Sequence, residues 1–174
     1  MAQSPWLITS FQTWLPHQKS NASDDLLALL IEQRQLPPQA ICLRQLPVDF
    51  DLAPQRVIEA IEQHRPRKIL LCGMAEGRSH LSLEAQASQG GSRLATGFHL
   101  PQLLAGTECS EISFDAGNFV CNALYYRVLQ WLLLHRQLAK ALFIHVPVLT
   151  LENQEKIAAD FCQILHNLEH DRQV

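Results

Sequence analysis

Three residues of this chain have side chains that could perform hydrolytic chemistry together: Cys121, His145 and Glu84. A thiol is mostly protonated at neutral pH and attacks a carbonyl well only as its thiolate, so a nucleophilic cysteine needs help in losing its proton. Cys121 follows the connection Asp115-Ala-Gly-Asn-Phe-Val120, where an extended segment turns into a helix. The free N–H groups and partial positive charge of a helix start favour a thiolate, and the same N–H groups can hold a developing oxyanion. Gly117 lets the backbone turn sharply before it. His145 stands near the end of an apolar run, just before Val146-Pro147, and Glu84 follows another such run in a loop or turn. Taken singly, each has a plain reading as a buried cysteine, a hydrogen-bonded core histidine and a solvated carboxylate. At three strand ends that meet over one sheet edge, they make a nucleophile, its base and the carboxylate that orients the base. The expected geometry is a Cys121 sulfur within about 4 Å of one His145 ring nitrogen, with the other nitrogen facing Glu84. Cys121 is then expected to alkylate faster than Cys42, Cys72 or Cys162, with Cys109, in an exposed turn, as the competitor and unactivated control.

The elements that must position these residues follow from hydrophobic patterning. Trp6–Phe11, Ala40–Leu43, Lys68–Gly73, Ile112–Phe114 and Ala141–Val146 read as strands. A helix capped by Ser23 carries Asp24 and Asp25 in its first turn and ends before Pro37-Pro38. A second helix starts near Pro54, with Val57, Ile58 and Ile61 at helical spacing, and stops at Pro66. A third runs from Cys121 to about Gln137, and Thr150 or Leu151 opens the last, with Ile157, Phe161, Ile164, Leu165 and Leu168 on one face. The stretch from Met74 to about Gly106 is broken by Gly77, Gly90, Gly91 and Gly97 and looks less regular. The β-α-β-α-β order predicts an α/β fold: one domain over residues 1–174, with a mostly parallel central sheet and helices on both faces. In such folds, ligands and catalytic groups gather beyond the carboxyl ends of the strands.

The whole chain narrows the possibilities. With 174 residues, 47% hydrophobic and 18% charged, it is an ordinary globular composition of one-domain size. A net charge of −3 gives no electrostatic reason for a nucleic acid or an anionic membrane as partner. The short basic run from His64 to Lys68 sits where a helix ends and answers its dipole. The start Met-Ala-Gln-Ser-Pro lacks the features of a secretory signal, and no apolar run is long enough to span a bilayer. Five cysteines without close paired spacing argue for free thiols in a reducing compartment, so the expectation is cytoplasmic. His166 and His170 lack a visible third metal ligand, and Gly73-Met-Ala-Glu-Gly77 lacks nucleotide-loop spacing; neither a metal nor a cofactor is expected.

Ile112-Ser-Phe-Asp-Ala-Gly-Asn-Phe-Val-Cys-Asn122 resembles the active-site cysteine motif of the pyroglutamyl peptidase I (pyrrolidone-carboxylate peptidase) family. Phe143-Ile-His-Val-Pro147 is similar to its histidine segment, and Gly77-Arg-Ser-His-Leu-Ser-Leu-Glu84 to its glutamate segment, in the family order. The resemblance implies a cofactor-free thiol peptidase with Glu84, Cys121 and His145 as catalytic residues. Its substrates would be small peptides blocked by an N-terminal pyroglutamyl residue, and the family suggests a homo-oligomer. It further implies a lactam pocket from Phe11, Trp14, Phe119 and Val120, with the backbone around Met74 approaching the ring. Arg93 stands near, one position short of, the family's oxyanion arginine. The chain departs from the family pattern in Ser10-Phe-Gln-Thr-Trp-Leu-Pro16, where Trp14 replaces a phenylalanine, and at Met74, which replaces a glutamine. These changes leave room for a related cysteine hydrolase of a different small N-acyl or lactam group, and for a non-catalytic member. The retained trio speaks against the last.

Overall fold

The computed structural model describes residues 5–171. In chain order it contains β1 (Trp6–Phe11), α1 (Ala22–Glu32), β2 (Ala40–Leu46), α2 (Leu52–His64), β3 (Lys68–Met74), β4 (Leu81–Glu84) and β5 (Gln86–Gln89). It continues through β6 (Ser92–Ala95), α3 (Leu100–Leu103), β7 (Ser110–Ser113), α4 (Val120–Leu134), β8 (Lys140–Val146) and α5 (Gln154–His170). Six strands form one sheet in the order β2-β1-β3-β8-β4-β7, and β5 and β6 make a separate hairpin. Every pairing in the large sheet is parallel except β4 against β8.

The central strands β1, β3 and β8 are almost continuously apolar because both of their faces are covered. Side chains alternate between the faces, so Ile8, Leu70, Cys72, Leu142 and Ile144 pack against α1, α3 and α5. Leu7, Ile69, Leu71, Ala141 and Phe143 pack against α2 and α4. The same alternation sends Gly73 and His145 to the α4 face. On β4, Leu81 and Leu83 belong to the opposite core, which leaves Ser82 and Glu84 facing α4 as well. The α/β class and the helix-covered, mostly parallel sheet are therefore as the patterning implied.

The local differences have identifiable causes. Asn21, not Ser23, caps α1: its backbone is extended and its side chain accepts from the Ser23 N–H at 3.1 Å. Ser23 is already helical, and its hydroxyl instead accepts from the Phe11 N–H at 3.2 Å. The start of α5 is delayed to Gln154 because Thr150 to Asn153 form a turn held by the Asn153 side chain, which accepts from the Thr150 N–H at 2.8 Å. The stretch after Met74 is more regular than its glycines suggested. Gly90 and Gly91, with φ of 56° and 84°, make the turn of the β5–β6 hairpin rather than an unstructured loop.

Candidate active site

β4 changes the expected position of Glu84. The residue is the last of a strand, not part of a loop, and the strand runs antiparallel to β8. Its register pairs Ser82 with His145 and Glu84 with Phe143, so Glu84 lies one row deeper in the sheet than the histidine instead of at the same edge. Two short apolar runs of opposite direction have no local feature that reports their relative orientation. Burial follows from this depth: Glu84 has no solvent exposure at all and His145 very little. The Nδ1 of His145 and Oε1 of Glu84 are 2.7 Å apart, a contact short enough for a charge-assisted hydrogen bond.

Cys121 enters from α4, whose first residue is Val120 and whose N-cap is Phe119. Its sulfur lies directly over Gly73, since a Cβ on that glycine would stand only 2.7 Å from it. Gly73 pairs with His145 on the neighbouring strand, so thiol and imidazole occupy adjacent columns of the same face, one strand spacing of about 4.8 Å apart in the sheet. Among the described residues no hydrogen bond joins them. The carboxylate–imidazole half of the expected arrangement is thus formed in this state, and the sulfur–imidazole half is brought close without closing. One turn along α4, the Tyr125 hydroxyl donates to the backbone carbonyl of Glu84 at 3.0 Å, fixing the helix against β4.

The electrostatics of the thiol differ from the expectation. Burial pushes the Cys121 thiol up to about 12; its own backbone N–H pulls it down, Glu84 pushes it up and Arg78 lowers it again. The helix start contributes in the expected sense but loses to desolvation. Desolvation thus works against the thiolate that the helix start was expected to favour.

A pocket of about 220 Å³ opens beside the sulfur. Phe11, Trp14, Met74, Phe119 and Val120 all line it with Cys121, as do Val48 and the polar side chains of Gln18, Asn21 and Glu76. Trp14 is 52% exposed and lies against Phe119 with ring centroids 4.7 Å apart, so it forms the outer wall. Its loop is held by Gln18, which accepts from the Trp14 and Leu15 N–H groups and donates to Glu76 at 2.8 Å. Arg93 is placed elsewhere: it sits on β6 and lines a separate hollow with the hairpin and Asn118. An arginine does reach the buried carboxylate, but it is Arg78, with Nη1 2.8 Å from Glu84 Oε1. Sequence reasoning assigned no role to Gly73, Arg78 or Tyr125. Only Tyr125 carried a local signal, because i and i+4 share a helix face. The described residues contain no cluster of three metal-ligating side chains.

The chain is similar to known proteins in sequence and in fold. The model of the pyroglutamyl peptidase family matches residues 105–164, a stretch that includes Cys121 and His145. A pyrrolidone-carboxylate peptidase of Vibrio vulnificus strain YJ016 is 29% identical over 94% of this chain and 88% of its own length. One of Bacillus amyloliquefaciens is 26% identical over 70% of this chain and 68% of its own. Among solved structures, pyroglutamyl peptidase I of Bacillus amyloliquefaciens superposes with a TM-score of 0.81 at 22% identity, covering 99% of this chain and 100% of that one. The pyrrolidone carboxyl peptidase of Thermococcus litoralis gives 0.77 at 19% identity, covering 98% and 97%. With the motifs in the same order on the same fold, the chain is similar to the pyroglutamyl peptidases in both sequence and fold.

Proposed function

We propose that the protein is a cysteine peptidase that hydrolyses the bond following an N-terminal pyroglutamyl residue. The observation that carries this reading is the buried Glu84–His145 pair, 2.7 Å apart, on the sheet face where Cys121 sits over Gly73 beside an apolar pocket. The small lactam ring fits a concave, mostly apolar site with few polar groups. The Cys121 sulfur attacks the pyroglutamyl carbonyl carbon while the thiol proton passes to His145 Nε2. The imidazolium formed is stabilised by Glu84 through Nδ1–H, and it then protonates the leaving amine as the carbon–nitrogen bond breaks. Water, activated by the same imidazole, cleaves the thioacyl intermediate and returns the thiol. Because burial raises the thiol, His145 is assigned the general-base role during attack. Backbone N–H groups at the start of α4 are the candidates for holding the oxyanion, which takes over the role considered for Arg93.

The five cysteines are free thiols, which supports a reducing compartment such as the cytoplasm. Among the described residues, no helix is long and apolar enough to cross a membrane. A second reading, a different small N-acyl or lactam substrate, is favoured by Met74 and the half-exposed Trp14 in the pocket wall. Hydrolysis of a fluorogenic pyroglutamyl amide, beside its prolyl and glutaminyl counterparts, separates the two. Turnover of the pyroglutamyl amide that disappears in Cys121→Ser is expected. No turnover of it, with cleavage of another acyl amide, would replace the first reading by the second.

A further inference from the structure

Glu84 presents an unusual electrostatic problem. It has no solvent exposure, its Oε1 is 2.7 Å from His145 Nδ1 and 2.8 Å from Arg78 Nη1, and its Oε2 has no hydrogen-bond partner in the protein. A general base must be neutral before it accepts a proton. With His145 neutral, Arg78 is the one cation against this carboxylate among the described residues. An uncompensated buried carboxylate takes up a proton. A protonated Glu84 would donate to Nδ1 and force the imidazole proton onto Nε2, the nitrogen that has to receive the thiol proton. Arg78 also donates through Nη2 to the backbone carbonyl of Asp115 at 2.8 Å, in the loop that leads to Cys121. Its own position comes from the turn that leaves β3, closed by the Arg78 N–H to Ala75 carbonyl bond of 3.1 Å.

We propose that Arg78 is a positioning residue of the reaction: it keeps Glu84 ionised, so that His145 carries its proton on Nδ1 and offers a bare Nε2, and it ties that carboxylate to the cysteine loop. This rests on the reading of Cys121 and His145 as nucleophile and base. The other titratable groups facing the pair are Cys121 and Tyr125 from α4 and Glu111 from β7, which accepts from Ser82 at 3.0 Å beside His145. Burial keeps Tyr125 protonated well above its ordinary range. Arg78 also acts on the thiol itself, whose proton its charge helps to loosen. A lysine keeps the charge but not the two-pronged bridge between Glu84 Oε1 and the Asp115 carbonyl.

The test compares wild type, Arg78→Lys and Arg78→Met by two pH profiles: kcat/KM for a fluorogenic pyroglutamyl amide, and the rate of iodoacetamide alkylation of Cys121 followed by mass spectrometry. Arg78→Met is expected to lower kcat/KM roughly 10²-fold, mostly through kcat, the lower end of what a positioned base contributes. Its acid limb and its alkylation profile should both move to higher pH, because the cation 2.8 Å from the buried carboxylate, which also lowers the Cys121 thiol, is gone. Arg78→Lys should fall between the two. If Arg78→Met does not fold, the double variant Arg78→Met/Glu84→Gln removes both charges and is expected to recover the melting temperature without recovering kcat. A wild type that leaves the pyroglutamyl amide intact counts against the proposed function, while the alkylation profiles still read the role of Arg78. Unshifted profiles in Arg78→Met and Arg78→Lys, or wild-type turnover in the double variant, would overturn the proposal.

Discussion

Replacing Gly73 with alanine adds one methyl group where the Cys121 sulfur meets the sheet. The new Cβ would stand 2.7 Å from that sulfur and 2.9 Å from Phe143 Cζ. Non-bonded heavy atoms rest at about 3.5–4.0 Å, so a separation of roughly 1 Å has to be opened. Phe143 is fully buried, with its ring between Tyr125 and His145 at centroid distances of 5.9 and 4.8 Å, and has no room to move. The sulfur borders the pocket and turns about a single side-chain bond, so it is the group that shifts. A nucleophile misplaced by about 1 Å loses on the order of 10²-fold in rate, equivalent to about 2.7 kcal/mol in the barrier. Overpacking of this kind destabilises by about 1–3 kcal/mol, and each kcal/mol lowers the melting temperature by about 2–4 °C for a chain of this size. The expected result is a folded, somewhat less stable protein whose kcat falls far more than KM rises. Steady-state hydrolysis of the pyroglutamyl amide, with a melting curve of the same preparation, measures both. Wild-type kcat together with a wild-type melting temperature would show that the sulfur is not held over Gly73, and the site geometry would fail with it.

Two further outcomes follow from the pocket and from the buried thiol. Trp14→Phe keeps an aromatic wall against Phe119 but removes the bulk and the indole N–H, so KM or the ranking of acyl groups should change more than kcat. Identical constants for all substrates would place Trp14 outside the substrate's reach. Burial pushes the Cys121 thiol from its ordinary value of 9.0 up to about 12 in the fold, so it favours the folded state fully below about pH 9, and that contribution is lost as pH rises toward 12. Urea midpoints should therefore fall above pH 9, and fall less steeply in Cys121→Ser; Cys72 and Tyr125, also pushed up by burial, keep the remaining slope. Equal slopes would refute the desolvation of Cys121. Alkylation of Cys121 in the free protein should likewise be slow at neutral pH and accelerate in base, and rapid labelling at pH 7 would contradict the raised thiol.

The sequence determined the strands β1, β3 and β8 and the helices that cover them, because uninterrupted apolar runs have one stable home, between two helical layers. It also singled out Cys121, His145 and Glu84 as the candidates for chemistry, since a cysteine at a helix start, a histidine at a strand end and a carboxylate are chemical types visible without coordinates. Pocket residues such as Phe11 and Val120 were legible by resemblance of their segments. What the chain order alone did not contain was the direction of β4, which four residues of local pattern leave open and which pairing with β8 decides. That direction buries Glu84, and burial creates the need for Arg78, so the partnership of two residues six apart in sequence exists only through tertiary packing. The state of the thiol was decided in the same way. A helix dipole acts within one turn and can be read from sequence, but desolvation depends on every atom that the fold places around the sulfur, and here it is the stronger effect.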